Sequence, residues 1–90
     1  MERLHIFVSG MVQGVFFRQS TAMKAREFDL KGWVKNLRDG RVELVCEGSE
    51  DSLHIMIAWC KKGPKGAFVD SVDTRWEEFK GEFNNFQIVY

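Results

Sequence analysis

The first part of the chain holds a nine-residue run in which two glycines precede an arginine: Gly10-Met11-Val12-Gln13-Gly14-Val15-Phe16-Phe17-Arg18. The first glycine can turn the chain out of a strand, and the second lets backbone approach a ligand where a Cβ would intrude. The N–H groups that follow would lie near a helix start, where unpaired donors and the helix dipole favour an anion. The arginine adds a planar, permanently charged group that can bind two phosphate oxygens. The run therefore predicts a phosphate-binding loop with contacts from Arg18 and from the backbone donors of Gln13, Gly14, Val15, Phe16 and Phe17. The side chain of Gln13 could also contact the substrate, but a role in shaping the loop is favoured.

Other common phosphate sites do not fit this run. A Walker loop has four residues between its glycines, followed by Lys and then Ser or Thr, whereas three residues separate Gly10 from Gly14. A cysteine-based phosphatase would need a thiolate six residues before the arginine, where this chain has Val12. The chain also contains no Asp-x-Asp pair that could hold magnesium or form an aspartyl-phosphate. We expect an anion site with one arginine, no metal, no cofactor and no covalent nucleophile.

Two separated motifs resemble those of one family. Residues Gly10 to Arg18 match the acylphosphatase signature G-x-V-Q-G-V-x-F-R at every fixed position. A second block of that family, G-W-V-x-N followed shortly by D-G, is matched by Gly32 to Asn36 and then by Asp39-Gly40. Farther along, Gly63-Pro64 stands where such chains usually have a turn before the next strand. The chain thus resembles the acylphosphatase family over essentially its whole length.

The resemblance implies a reaction and two catalytic residues. Acylphosphatases hydrolyse acyl phosphates to a carboxylate and inorganic phosphate, and the resemblance assigns phosphate binding to Arg18 and positioning of the attacking water to Asn36. It also implies that a phosphate oxygen of the substrate accepts the proton of the water. The leaving carboxylate has a conjugate acid of pKa about 4, so it departs without a general acid. We expect in-line attack by water without a covalent intermediate, and a loop that also binds a phosphate or sulfate ion.

The phosphate-binding run joins a predicted strand to a predicted helix. Leu4, Ile6 and Val8 recur at every second position, which is the period of a strand with one face in the core. After the loop, small and apolar residues at helical spacing predict a helix from Arg18 to about Phe28. Related sequences usually end this helix with a glycine, but this chain has Asp29, which can adopt the left-handed conformation at some energetic cost.

A hairpin and a second helix follow. The Asp39-Gly40 pair lies between two extended runs, Trp33 to Leu37 and Arg41 to Glu47, and is a strong hairpin signal. Ser49 then supplies a capping hydroxyl for a helix with an apolar stripe, and Gly63-Pro64 ends that helix. These elements would place Asn36 near the end of the first strand of the hairpin.

Two more strands complete the predicted fold. We expect Phe68 to Trp76 to form an irregular strand, because Val69 and Val72 do not share the same parity. Residues Phe86 to Tyr90 alternate and predict a short final strand. The order β-α-β-β-α-β with one added strand predicts an α+β, ferredoxin-like βαββαβ sandwich. Its sheet would be antiparallel, with two helices on one face and the short extra strand at the C-terminal end.

Composition limits the remaining possibilities. Ninety residues predict a single domain spanning 1–90, and the 13 basic and 13 acidic residues balance, so no patch for nucleic acid or an anionic membrane is expected. No apolar run approaches the roughly 20 residues of a membrane span, and no signal-peptide pattern precedes the first strand. We expect a cytoplasmic monomer whose partner is a small-molecule acyl phosphate. Cys46 and Cys60 are expected to be free, buried thiols.

Two alternatives belong to other functional classes. RNA-recognition modules share the β-α-β-β-α-β order, but they carry basic and aromatic residues on the third strand. Here that strand, Arg41 to Glu47, has two acids and no aromatic residue. The other alternative is a domain that binds phosphate or another protein without catalysis. The presence of both Arg18 and Asn36 favours the enzyme over this alternative.

Overall fold

The computed structural model describes residues 1–90 and contains five strands and two helices. In chain order these are β1 (Glu2–Met11), α1 (Phe17–Glu27), β2 (Lys31–Asn36), β3 (Val42–Gly48), α2 (Glu50–Lys62), β4 (Phe68–Glu77) and β5 (Phe86–Ile88). The first helix begins and ends one residue earlier than the sequence predicts. Neither helix has the length and the apolar character needed to cross a membrane.

All five strands form one sheet with the order β4-β1-β3-β2-β5. The first four strands pair antiparallel, which confirms the ferredoxin-like fold. The short extra strand makes the sheet mixed, because β5 pairs parallel to β2. The reason is topological. The strand β4 ends at the same end of the sheet at which β2 begins. Residues 78–85 cross this end from one outer strand to the other side of the sheet, so β5 runs beside β2 in the same direction.

The core lies between the sheet and the helices. Leu4, Ile6 and Val8 of β1 are fully buried and belong to the same core cluster as the apolar residues of α2. In α2 the buried residues Leu53, Met56 and Cys60 follow helical spacing, as the sequence predicts. Cys46 of β3 is buried in the same cluster, and both cysteines are free.

A bulge interrupts the pairing of β1 with β4. Ser9 pairs with Ser71 and Gly10 pairs with Val69, so Asp70 has no partner in the register. This confirms the predicted irregularity of β4. Gly10 has a φ of 126°, and a Cβ at this residue would lie 2.2 Å from the carbonyl oxygen of Phe68. Only glycine fits here, where β4 bends close to the end of β1.

The ends of the helices follow local signals. Ser49 caps α2, and its hydroxyl oxygen accepts a hydrogen bond of 3.2 Å from the backbone N–H of Ser52. Asp29 follows α1 with a φ of 56°, which is the left-handed conformation expected for this position.

The final strand is shorter than predicted and does not include Tyr90. The strand β5 ends at Ile88, and the Tyr90 side chain is 91% exposed.

Candidate active site

The loop between β1 and α1 is shaped by two left-handed residues. Gly14 has a φ of 75° and Phe16 has a φ of 60°. Backbone with such residues at close spacing forms concave turns whose N–H groups can converge on an anion. A Cβ at Gly14 would meet no atom within 4 Å, so glycine is needed there for its conformation and not for lack of space.

The first turn of α1 offers donors without partners from the helix itself. The first helical hydrogen bond is the one from the N–H of Ser20 to the carbonyl oxygen of Phe16, at 3.0 Å. The N–H groups of Phe17, Arg18 and Gln19 therefore have no carbonyl ahead of them in the helix. No side chain caps this end, and no acidic residue lies in the first turn. The positive end of the helix dipole is thus not neutralised by the protein.

Gln13 ties this loop to the β2–β3 hairpin. Its side-chain Nε2 donates hydrogen bonds to the carbonyl oxygens of Leu37, at 2.7 Å, and Arg41, at 3.0 Å. The amide is therefore occupied by the hairpin and does not line the cavity described next. Val15 is half-buried and packs against the core. Of the six residues predicted to form the phosphate-binding loop, Gln13 and Val15 thus direct their side chains elsewhere.

A cavity of about 160 Å³ opens between the loop, the start of α1 and the end of β2. The structure brings together in its wall four predicted loop residues and the predicted water-positioning residue. Val12 and Gln19, which the sequence did not single out, complete the wall. The lining consists of Val12, Gly14, Phe16, Phe17, Arg18, Gln19 and Asn36.

Arg18 forms no ion pair with any carboxylate of the chain. An alternative role, in which this arginine neutralises an acid in the first turn of α1, is therefore absent from the structure. The described contact of its guanidinium is with the ring of Tyr90, whose centroid lies 4.8 Å from Cζ. This contact is a cation–π interaction. The sequence motifs gave no signal for Tyr90, because it lies far from both motifs along the chain.

Asn36 is the last residue of β2 and points to the same face of the sheet as Val34. Val34 is fully buried in the core, so this alternation directs Asn36 beneath the start of α1. Its side-chain oxygen Oδ1 is buried and has no hydrogen-bond partner. Because a buried acceptor without a donor is unfavourable by about 1–3 kcal/mol, this atom marks a place where a donor from water or a ligand would be favoured.

A second cavity, of about 210 Å³, lies at the other end of the sheet and includes Glu47 in its wall. This carboxylate is held by Arg3 at 3.1 Å and by the backbone N–H of Lys80 at 2.8 Å. Burial opposes its charge, but these hydrogen bonds outweigh burial and lower the pKa of Glu47. Arg3 also bonds to Glu77 and Glu82. The charged side chains around this cavity therefore bind one another, and none of those in the Arg3 cluster is free to act as an acid or base.

The thiols and the metal-ligating residue types lie outside the first cavity. Burial raises the pKa of Cys60 to about 12 and raises that of Cys46 well above its usual range. Both thiols are therefore protonated at neutral pH and are poor nucleophiles. No three His, Cys, Asp or Glu side chains are grouped so that they could hold a metal ion.

Comparisons with known proteins identify the family and support the fold. The sequence model of the acylphosphatase family matches residues 4–88. The acylphosphatase of Pyrobaculum calidifontis is 54% identical over 97% of this chain and 80% of its own length. That of Roseiflexus sp. is 50% identical over 100% of this chain and 97% of its own. The crystal structure of acylphosphatase from Bacillus subtilis superposes with a TM-score of 0.96 at 38% identity, covering 100% of both chains.

The fold is therefore a ferredoxin-like α+β sandwich with a cavity at one end of its sheet. The chain belongs to the acylphosphatase family.

Proposed function

We propose that this protein hydrolyses the carboxyl–phosphate bond of acyl phosphates by direct, in-line attack of water, without metal, cofactor or covalent intermediate. Membership of the acylphosphatase family makes the chain a hydrolase that acts on acyl phosphates. The observation that supports the finer mechanism best is the pairing, in one cavity, of an arginine without a carboxylate partner and a buried amide oxygen without a donor. Arg18 suits the phosphoryl group and Asn36 suits a water.

The phosphoryl group would be held by positive charge from two sources. The guanidinium of Arg18 can donate two parallel hydrogen bonds to phosphate oxygens. The loop residues Gly14 and Phe16, together with the first turn of α1, add backbone N–H groups and the positive end of the helix dipole. These donors are fixed before the substrate arrives. They would therefore stabilise the charge that develops on the phosphoryl oxygens in the transition state.

The attacking water would be held by the side chain of Asn36. The unpartnered Oδ1 accepts one hydrogen bond from the water, which leaves an oxygen lone pair free to attack phosphorus. Because the amide is neutral, it orients the water without removing its proton. Holding water and phosphoryl group at reacting distance turns a bimolecular encounter into an intramolecular step.

The chemistry needs no protein acid or base. The new P–O bond forms to the water oxygen while the bond to the acyl oxygen breaks, and the electron pair leaves on the carboxylate. The water proton passes to a phosphoryl oxygen of the substrate, and the products are a carboxylate and inorganic phosphate. The residues that line the cavity include no Asp, Glu, His, Lys or Cys. An alkyl phosphate would have to expel a far more basic alkoxide, and we expect the protein to hydrolyse it very slowly.

The test is hydrolysis of benzoyl phosphate and glycerol phosphate by the purified protein in EDTA, in water labelled with heavy oxygen. We expect rapid hydrolysis of benzoyl phosphate only, with the label in the phosphate product. Label in the benzoate would show attack at the carbonyl carbon and contradict the mechanism. Comparable rates on both substrates would contradict the role of the leaving group. A folded protein that hydrolyses neither would support a domain that binds phosphate without catalysis.

A further inference from the structure

Phe16 is the one large apolar side chain of the cavity wall that faces solvent. Three apolar residues line the cavity, and two of them are buried, Val12 fully and Phe17 with 2% of its surface exposed. The ring of Phe17 also packs against Trp59 of α2, with 5.3 Å between the ring centroids. Phe16 is 74% exposed and is not among the residues that pack against the core. Core packing therefore accounts for Phe17 but not for its neighbour.

The backbone does not account for Phe16 either. Its φ of 60° and ψ of 27° lie in the left-handed region, where glycine and asparagine are favoured and a bulky side chain is strained. A glycine at this residue would give the loop the same shape with less strain. The phenylalanine thus adds strain and an exposed ring to a loop that needs neither for its own folding. Such a residue at the edge of a functional cavity is most simply explained by contact with a ligand.

The shape of the cavity indicates which part of a ligand the ring would contact. The loop, Arg18 and Asn36 take the phosphoryl group and the water, so the acyl group has to extend toward the open mouth, where Phe16 is exposed. Arg18 is the one charged residue of the wall, and it is occupied by the phosphoryl group. An acyl group that carries a charge of its own would therefore have no charged side chain in the cavity wall to bind, whereas a flat apolar acyl group could pack against the aromatic ring of Phe16.

We propose that Phe16 packs against the acyl group of the substrate and gives the site a preference for acyl phosphates whose acyl group is planar and apolar. This inference rests on the proposed hydrolysis and names the substrate class within it. Phe16 is a specificity residue, and its backbone N–H, not its ring, belongs to the phosphate-binding loop.

The test compares kcat/KM for benzoyl phosphate and for acetyl phosphate in wild type, Phe16→Asn and Phe16→Gly. Both replacements tolerate the left-handed conformation, so the loop keeps its shape. Phe68→Asn is the matched control, because Phe68 is 70% exposed and does not line the cavity. We expect the ratio of benzoyl to acetyl kcat/KM to fall about 3- to 10-fold in both Phe16 variants, the size of one aromatic contact. Inhibition by inorganic phosphate should be unchanged in Phe68→Asn, whose substitution lies outside the cavity wall.

Three results would overturn the inference. The ratio of kcat/KM values could stay at the wild-type value in both Phe16 variants. Alternatively, kcat/KM could fall by the same factor for both substrates, which would show an effect on the phosphoryl site. An equal fall of the ratio in Phe68→Asn would show that surface apolarity in general is responsible. If the wild type hydrolyses neither substrate, the proposed function fails as well. A changed ratio can therefore be separated from a failed reaction.

Discussion

At the scale of single residues, the proposed binding of phosphate depends on the charge of Arg18. No carboxylate neutralises it, and it lines the same cavity as the free N–H groups of the first turn of α1. We predict that Arg18→Gln abolishes both inhibition by inorganic phosphate and turnover. Arg18→Lys should also lose more than about 10³-fold in kcat/KM, because a point charge cannot replace two fixed donors. Near-normal kinetics in Arg18→Lys would contradict the bidentate role.

Tyr90 belongs to the same scale, since its ring lies 4.8 Å from Cζ of Arg18. A cation–π contact at an exposed site contributes about 0.5–1 kcal/mol. We therefore predict that Tyr90→Ala raises the inhibition constant of inorganic phosphate about 2- to 5-fold, by leaving the guanidinium less well oriented. Tyr90→Phe keeps the ring and serves as the control, with a constant close to that of the wild type. An unchanged constant in Tyr90→Ala would show that the ring does not orient Arg18.

At the scale of elements, the turn that follows α1 contains a residue poorly suited to its conformation. Asp29 has a φ of 56°, and its ion pair with Lys31, at 3.5 Å on the surface, adds little. We predict that Asp29→Gly raises the free energy of unfolding by about 0.5–1 kcal/mol, because relief of strain exceeds the entropy lost by glycine. Urea denaturation measures this change. Kinetic constants should be unchanged, and a lower stability would contradict this account of the helix end.

Most elements could be predicted from the sequence because their signals are local. The alternation in β1, the cap at Ser49 and the turn at Asp39-Gly40 each depend on a few neighbouring residues, and the structure has each element where the pattern indicates. The parity change between Val69 and Val72 likewise predicted an irregular β4, and the structure shows that this irregularity is a bulge. Such local patterns do not predict which side chains contact one another when they lie far apart in the sequence. The bonds from Gln13 to the hairpin and the orphaned oxygen of Asn36 both depend on long-range packing.

At the scale of the whole molecule, the topology brings four separate segments to one end of the sheet. The loop after β1, the start of α1, the end of β2 and the residues after β5 meet there. The first three can be inferred from motif order and fold class. The position of the residues after β5 could not be inferred in this way. It depends on the direction of β5, which follows from where β4 ends and from how residues 78–85 cross that end of the sheet. The parallel pairing of β5 explains how Tyr90 reaches Arg18.

The acid stability of the molecule should depend on the cluster around Arg3. Burial opposes the charge of Glu47, but bonds from Lys80 and Arg3 lower its pKa, while a bond from Arg3 lowers that of Glu77. Groups with a lowered folded-state pKa stabilise the protein above the unfolded value of 4.5, and this stabilisation is lost as pH falls through the folded values.

The matched variant for this prediction is Glu47→Gln. Urea denaturation at several pH values should show the wild type losing stability below about pH 4.5. Glu47→Gln should be less stable at neutral pH by about 1.5–3 kcal/mol, the size of a charged hydrogen bond, and should have a shallower acid dependence. Parallel pH curves for the two proteins would show that this carboxylate does not contribute to acid unfolding.

In the proposed mechanism two residues have separate roles, since Arg18 holds the phosphoryl group and Asn36 holds the water. The most direct test is to measure kcat for benzoyl phosphate and the inhibition constant of inorganic phosphate in Asn36→Ala. We predict that kcat falls by about 10²–10³, as for the loss of one positioned transition-state donor, while the inhibition constant stays at the wild-type value. Weakened phosphate inhibition with a normal kcat would contradict it, because Asn36 would then bind phosphate and not the attacking water.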